Sequence, residues 1–523
     1  MSANQTRTKT KGRTLVDDVR RNPIDLHLER GRRRRWWWLV GIVLSIVLVS
    51  LVWRFNADRP VEYADAGEHF KYGSIGSEPG GSLTEAAGGL LPPKPIFKVL
   101  PQVCPDKLPG GYTSVGLIAE PGKEFPIGVS QRFRLGLDQV GLNCSVCHVG
   151  TLRESPEAEP SIVLGMPAHG LLLQDLFRFV LDCTLDDRFT PDNLLGLMKE
   201  NGIELSWFDR LLYRYIVIPR TREQTLSLSR RLARIMGDEI PEWGAGRVDT
   251  FNPYKGNQFN WPLDRLPREE LIGASDYPSL WNQKPRDGMQ LHWDGNNDSV
   301  EERNLSASLG AGVTPVTIDH ENLKRVRDWI WTLPAPSYPF DIDQAVAERG
   351  QALYAEHCLA CHADHEFREG VIKGEYIGKV EPIEKIGTDR HRLDSYTFLF
   401  AANQYTLYPD SQYHFTHFRK TNGYANQPLD GIWARGPYLH NGSVPTLRDL
   451  LDAPEARPKS FYRGYDVYDQ QRVGFIHDVA EEGGKPFFRY DTAEPGNDNG
   501  GHVYAVDLPD ADKDAIVEYM KTF

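Results

Sequence analysis

The sequence predicts a mainly α, loop-rich protein in which two domains follow a single N-terminal transmembrane helix. Three observations carry that prediction. An uncharged run of 18 residues, WWWLVGIVLSIVLVSLVW (36–53), follows GRRRR (31–35). Glycine (47) and proline (36) are too frequent in 523 residues for a simple helical bundle. The pentapeptide Cys-x-x-Cys-His occurs twice, beginning at Cys144 and Cys358.

The first observation defines an anchor. As a helix, residues 36–53 span about 27 Å, close to the hydrocarbon thickness of a bilayer. Trp36, Trp37 and Trp38 stand at one end and Trp53 at the other, as interfacial aromatics do. The arginines put the N-terminal edge in the cytoplasm and the main body in the periplasm. The nearby A-x-A pattern (64–66) lies beyond Arg54, Asp58, Arg59 and Glu62, so an uncleaved anchor is expected rather than a signal peptide. Residues 1–35 form a basic cytoplasmic tail with net charge +7; the remainder carries −19, which argues against nucleic acid as the partner.

Along the body, SEPGGSLTEAAGGLLPPKP (77–95) reads as loop. Residues 171–182 and 222–236 carry apolar side chains at three- and four-residue spacing and are predicted helices. DHENLKRVRDWIWTL (319–333) opens on an Asp and places Leu323, Val326, Ile330 and Leu333 on one face. The Pro-rich stretch 334–340 cannot continue that helix and sets the expected boundary between domains 54–333 and 341–523. Residues 341–358 form a further predicted helix leading into the second pentapeptide, and 508–523 a final one.

Cys144, Cys147 and His148 make the first site; Cys358, Cys361 and His362 make the second. Two thiols at this spacing each add to one vinyl group of a haem, and the following histidine meets the iron. A thioredoxin-like or zinc-ribbon reading explains neither histidine. Two covalently bound haem c groups are therefore expected, on the side of the membrane where such attachment occurs. Cys104 and Cys183 remain, either as a disulfide or as two buried thiols.

The ligand opposite each histidine separates a relay from a reactive site. Between residues 366 and 519 there is no methionine, so a six-coordinate second haem needs another donor. His502, in the glycine-rich GNDNGGHVYAVDLP (496–509), is the first candidate and His440, in GPYLHNGSVPTL (436–447), the second. For the first haem, His169 in VLGMPAHG (163–170) is the distal candidate, against an open site. Trp293, in LHWDGNNDSVEERN (291–304), is either a packing residue or an electron relay.

These stretches, with LDGIWARGPYLHNGSVPTLRDLL (429–451) and residues 496–523, resemble the bacterial dihaem cytochrome c peroxidase superfamily, most nearly its rubber-oxygenase-like dihaem cytochromes. The resemblance implies two cytochrome c-like domains facing each other. It implies a reactive haem on His148, an electron-storing haem on His362 with a late histidine opposite, and Trp293 between them. The peroxidases' usual C-terminal methionine has no counterpart in LLDAPEARP (450–458). The expected function is that of a membrane-anchored periplasmic dihaem cytochrome with peroxidase-like chemistry at the N-terminal haem. Peroxide or oxygen is the oxidant and a redox carrier protein the electron partner. The alternatives are an electron-transferring subunit with both irons six-coordinate and, third, a haem oxygenase of a hydrophobic organic substrate.

Overall fold

The computed structural model describes residues 23–79, 91–408 and 413–523, with side chains from residue 31 onward. Much of the basic tail (1–35) and the middle of the 77–95 loop lie outside the described residues. The chain divides into two units, Met1–Ala57 and Asp58–Phe523.

In the first unit, α1 (Pro23–Asn56) exposes its tryptophans, leucines, isoleucines and valines on all sides between Trp36 and Trp53. Its segment Gly31–Asn56 is long and apolar enough to cross a membrane.

The second unit is mostly helical and loop-rich. A three-stranded antiparallel sheet, β1 (Asp58–Pro60), β2 (Val129–Arg134) and β3 (Leu137–Leu142), delivers the chain to the first pentapeptide. Its β2–β3 turn has positive φ at both Leu135 and Gly136, as a two-residue hairpin that follows the strand twist requires. The short helix α2 (Ala66–Tyr72) supplies the surface on which that pentapeptide sits. After it, β4 (Val149–Leu152) and β5 (Ser161–Leu164) pair antiparallel.

The predicted helices form, with shifted ends. α3 (Leu173–Leu185) covers the 171–182 prediction. The 222–236 prediction is the C-terminal part of a longer rod: α4 (Trp207–Leu212), a π turn (Tyr213–Val217) and α5 (Ile218–Met236). α6 (His320–Ile330) is capped by Asp319, which accepts from the Asn322 amide at 3.0 Å. α7 (Gln344–His357) is capped by Asp343 rather than Asp341 and runs into α8 (Leu359–His362). α9 (Asp510–Met520) packs across α7, where a Cβ on Gly350 would collide with the Ala515 carbonyl. Cys104 and Cys183 are joined as a disulfide that ties the 94–103 helix to α3, with Cα atoms 5.8 Å apart.

The expected division at 334–340 is not a division of packing. One core cluster joins Leu152, Met166 and Trp281 to Trp433, Ile516 and Phe523. A second joins Phe70, Val149 and Phe251 to Tyr396, Phe415 and Phe418. The Pro-rich stretch is itself packed, with Ala335 and Tyr338 buried in the first cluster. Buried ion pairs reinforce the interleaving: Arg463 bonds Asp276 at 2.7 Å, and Arg286 bonds Asp430.

Candidate functional site

The first pentapeptide is a tight turn. Asn143 caps it by accepting from the Ser145 amide at 3.0 Å. The same side chain donates to the Lys71 and Gly73 carbonyls at 3.3 and 3.0 Å, and Ser145 donates to Lys71 O at 3.0 Å. These bonds lock Cys144–Val146 onto the end of α2. Cys144 packs against the core cluster that holds Phe415 and Phe418, and Cys147 and His148 are half-buried. The second pentapeptide continues α7 through one short turn. Tyr354 donates to Ala363 O at 2.6 Å and closes it, and Cys358 packs against the cluster that holds Leu152 and Trp281.

Both histidines are held alike. His148 Nδ1 is 2.8 Å from Pro278 O, and His362 Nδ1 is 2.8 Å from Gln427 O. A backbone carbonyl takes only a donated proton, so each ring keeps its proton on Nδ1 and presents a bare Nε2, the atom that ligates a metal. Burial lowers both pKa values, that of His148 to about 4, so both rings are neutral at neutral pH. Burial pushes the Cys144 and Cys147 thiols up to about 11 and 12, that of Cys358 to about 12, and raises that of Cys361. A thioredoxin-like pair works through a depressed pKa, so these cysteines are not of that kind. Among the described residues, no three Cys, His, Asp or Glu side chains converge on a metal-sized point.

The two sites differ on the far side. His502 faces His362 with ring centroids 6.1 Å apart. Two imidazoles sharing one iron lie about 6 Å apart, counting about 2 Å for each iron–nitrogen bond and about 1 Å from each Nε2 to its ring centre. His502 is half-buried, its buried Nδ1 is without a partner among the described residues, and burial lowers its pKa to about 3. It has a positive φ of 49°, follows Gly501 at 69°, and its amide donates to Ile386 O at 2.8 Å. A Cβ on Gly501 would strike the Gly387 carbonyl carbon, so glycine there lets the loop close in. The aromatic ring beside His148 is Tyr277, at 6.5 Å; among the described residues no histidine ring faces His148 as His502 faces His362.

The other candidates are placed as follows. His440 stacks on Tyr424 at 4.0 Å, with Nε2 2.9 Å from its hydroxyl, which in turn donates to Asp389 O at 2.6 Å. His169 is buried and stacked on Phe475 at 3.8 Å, and neither of its nitrogens has a hydrogen-bond partner among the described residues. Its neighbour Ala168 donates its amide to Cys147 O at 3.0 Å, so the 165–168 turn braces the first pentapeptide while the imidazole packs on Phe475. Trp293 links the two histidine supports. Its Nε1 donates to Asp276 O at 2.8 Å, two residues before Pro278, and its carbonyl accepts from the Ala425 amide at 2.8 Å, two residues before Gln427.

Sequence reasoning missed Arg457. This fully buried side chain donates to Asn499 O (2.6 Å), Gly501 O (2.9 Å) and His502 O (3.2 Å), and so holds the His502 loop. It also missed His292, beside Trp293, which has a positive φ of 63° and an Nδ1 2.5 Å from Asn296 Oδ1.

The residues fit a covalently held haem: paired neutral thiols, neutral imidazoles with bare Nε2 atoms, and in one case a second imidazole at ligand spacing. They suggest a haem c-type cytochrome, and a cytochrome c-like domain is found in the chain by comparison. It is of the RoxA-like kind and matches residues 423–462, a range that contains the 429–451 stretch carrying the rubber-oxygenase-like resemblance. An uncharacterized protein of Sinorhizobium fredii, y4iM, is 34% identical over 292 residues, covering 47% of this chain and 64% of that protein. The chain thus spans less than two thirds of that relative's length. A second uncharacterized S. fredii protein, y4iJ, is 25% identical over 523 residues, covering 79% of this chain and 82% of that protein.

Proposed function

We propose that the protein is a membrane-anchored periplasmic dihaem c-type cytochrome with one closed and one reactive iron site. Haem c supplies one-electron chemistry at iron and, where the sixth position is open, reaction with peroxide or oxygen. The single observation that carries the proposal is the asymmetry between the pentapeptides: His362 is opposed by His502 at 6.1 Å, and His148 by no histidine among the described residues. Cys144, Cys147 and His148 would hold the reactive group; Cys358, Cys361, His362 and His502 the closed one. Pro278 O and Gln427 O keep the protons of His148 and His362 on Nδ1 and make both rings stronger donors.

Trp293 is proposed as the coupling side chain, because it bonds to the segment behind each histidine. A redox carrier is proposed to dock near Cys361, where Tyr376 and Val503 are exposed. The apolar helix and the Cys104–Cys183 disulfide support a body outside the cytoplasm, since disulfides persist in oxidising compartments.

Electron paramagnetic resonance of the oxidised full-length protein tests the asymmetry. One high-spin and one low-spin signal are expected, and His502→Ala should turn the low-spin signal high-spin. Two low-spin signals that ignore peroxide, cyanide and carbon monoxide would instead establish the electron-transferring subunit. Trp293→Phe should leave both signals in place and slow electron exchange between the sites in stopped-flow by about tenfold or more, since it removes the link to Asp276 O. An unchanged rate assigns Trp293 to packing.

A further inference from the structure

The rod built from α4, the π turn and α5 is apolar on two sides. Its inner side is core, with Leu212, Val217, Leu228 and Leu232 buried. Its outer side carries Trp207 at 74% exposure, Leu211 at 47%, Tyr215 at 69% and Ile216 at 40%. Trp207, Leu211 and Tyr215 follow one another at four-residue steps, and the π turn adds Ile216 to the same exposed strip. A helix of a soluble surface is polar there.

Charge identifies what fits this face. Residues 207–234 hold seven arginines against two acidic residues, a net +5, inside a body whose net charge is −19. Arg210 and Arg220 are exposed beside the apolar strip, Arg220 paired with Glu223, and Arg214 is half-buried there and bonds Asp192 at 2.6 Å. Exposed Trp, Tyr, Leu and Ile fringed by arginine is the composition of a helix that lies in a membrane interface, with aromatic rings at headgroup level and guanidinium groups on phosphates. A second copy of the chain fits poorly, because a symmetric pair would bring like-charged arginine faces together.

We propose that the Trp207–Ile216 face docks the body on an anionic lipid surface, as a membrane contact separate from the apolar helix of residues 31–56. This goes beyond the anchor reading and does not depend on it.

The test uses the haem-loaded fragment 58–523. This segment is a compact unit in its own right, with its core clusters and its disulfide inside its bounds. Its sedimentation with vesicles of phosphatidylcholine containing a quarter phosphatidylglycerol should exceed that with phosphatidylcholine alone and fall with added salt. The W207S/Y215S pair should weaken binding about tenfold or more, and R210Q/R220Q should reduce it toward the phosphatidylcholine level, with haem content and melting temperature unchanged. Because these side chains face outward, the two variants report on the surface by independent routes.

Absence of vesicle binding at low salt, or binding indifferent to both variants, overturns the proposal. So does a concentration-dependent dimer of the fragment that W207S/Y215S returns to monomer, which would make the face a contact between copies. Alkaline extraction of the full chain reports on the anchor alone, so failure of one reading leaves the other standing.

Discussion

Arg457 commits its whole guanidinium to backbone: Nε to Asp452 O, Nη1 to Asn499 O and Gly501 O, and Nη2 to Leu450 O and His502 O. Burial lowers its pKa, yet an arginine stays charged at every accessible pH, so five carbonyls meet a permanent cation. Arg457→Met would leave those carbonyls without donors inside the protein. It should cost on the order of 3 kcal/mol of stability and release the His502 loop. The check is a thermal melt together with the spin state of the second site; Arg457→Lys, which keeps the charge and fewer bonds, should recover part of both. A melt shifted with the spin state untouched would reduce Arg457 to a structural residue. His502 stood out in the sequence because two glycines precede it where methionine is missing. Arg457 did not, since nothing in EARPKS sets it apart from an exposed arginine. His440 and His169 looked eligible by position alone. Their surroundings, Tyr424 and Phe475, come from distant segments that no local pattern reveals.

Helices with one apolar stripe and a capping aspartate were readable in kind, as α6 and α7 show, with ends moved by one to three residues. The rod from Trp207 to Met236 was only half readable, because its two apolar sides cancel the periodicity that marks an amphipathic helix. The two-residue strands, such as Tyr468–Asp469 with Gly474–Phe475, are too short to show alternation at all. The α7–α9 crossing rests on a single glycine. Gly350→Ala adds a methyl where the Ala515 carbonyl already lies, and the helices must part to admit it. The intrinsic gain of alanine in a helix, about 1 kcal/mol, is smaller than the strain of such overpacking, about 1–3 kcal/mol. The variant should therefore melt lower than the parent in calorimetry; a higher melting temperature would mean that the crossing is looser than described.

At the scale of the whole molecule, composition indicated a loop-rich chain and the arginine-flanked apolar run indicated the helix, whereas the boundary expected at 334–340 does not coincide with a break in packing. Proline ends a helix without ending a core, and residues on both sides of it share both large clusters. A fragment of residues 341–523 would expose the side chains that meet Leu152, Met166 and Trp281. It should be protease-sensitive and lack a cooperative melt, whereas 58–523 should resist digestion; a stable, haem-binding 341–523 fragment would restore two independent domains. The interleaving also sets a timetable. A ribosome delivers the chain from one end, and the cluster against which Cys144 packs is incomplete until Phe418 has been made. The earlier thiol pair therefore waits through more than half of synthesis without its finished surroundings, whereas the later pair waits only through the last stretch of chain, which ends its own cluster at Phe523.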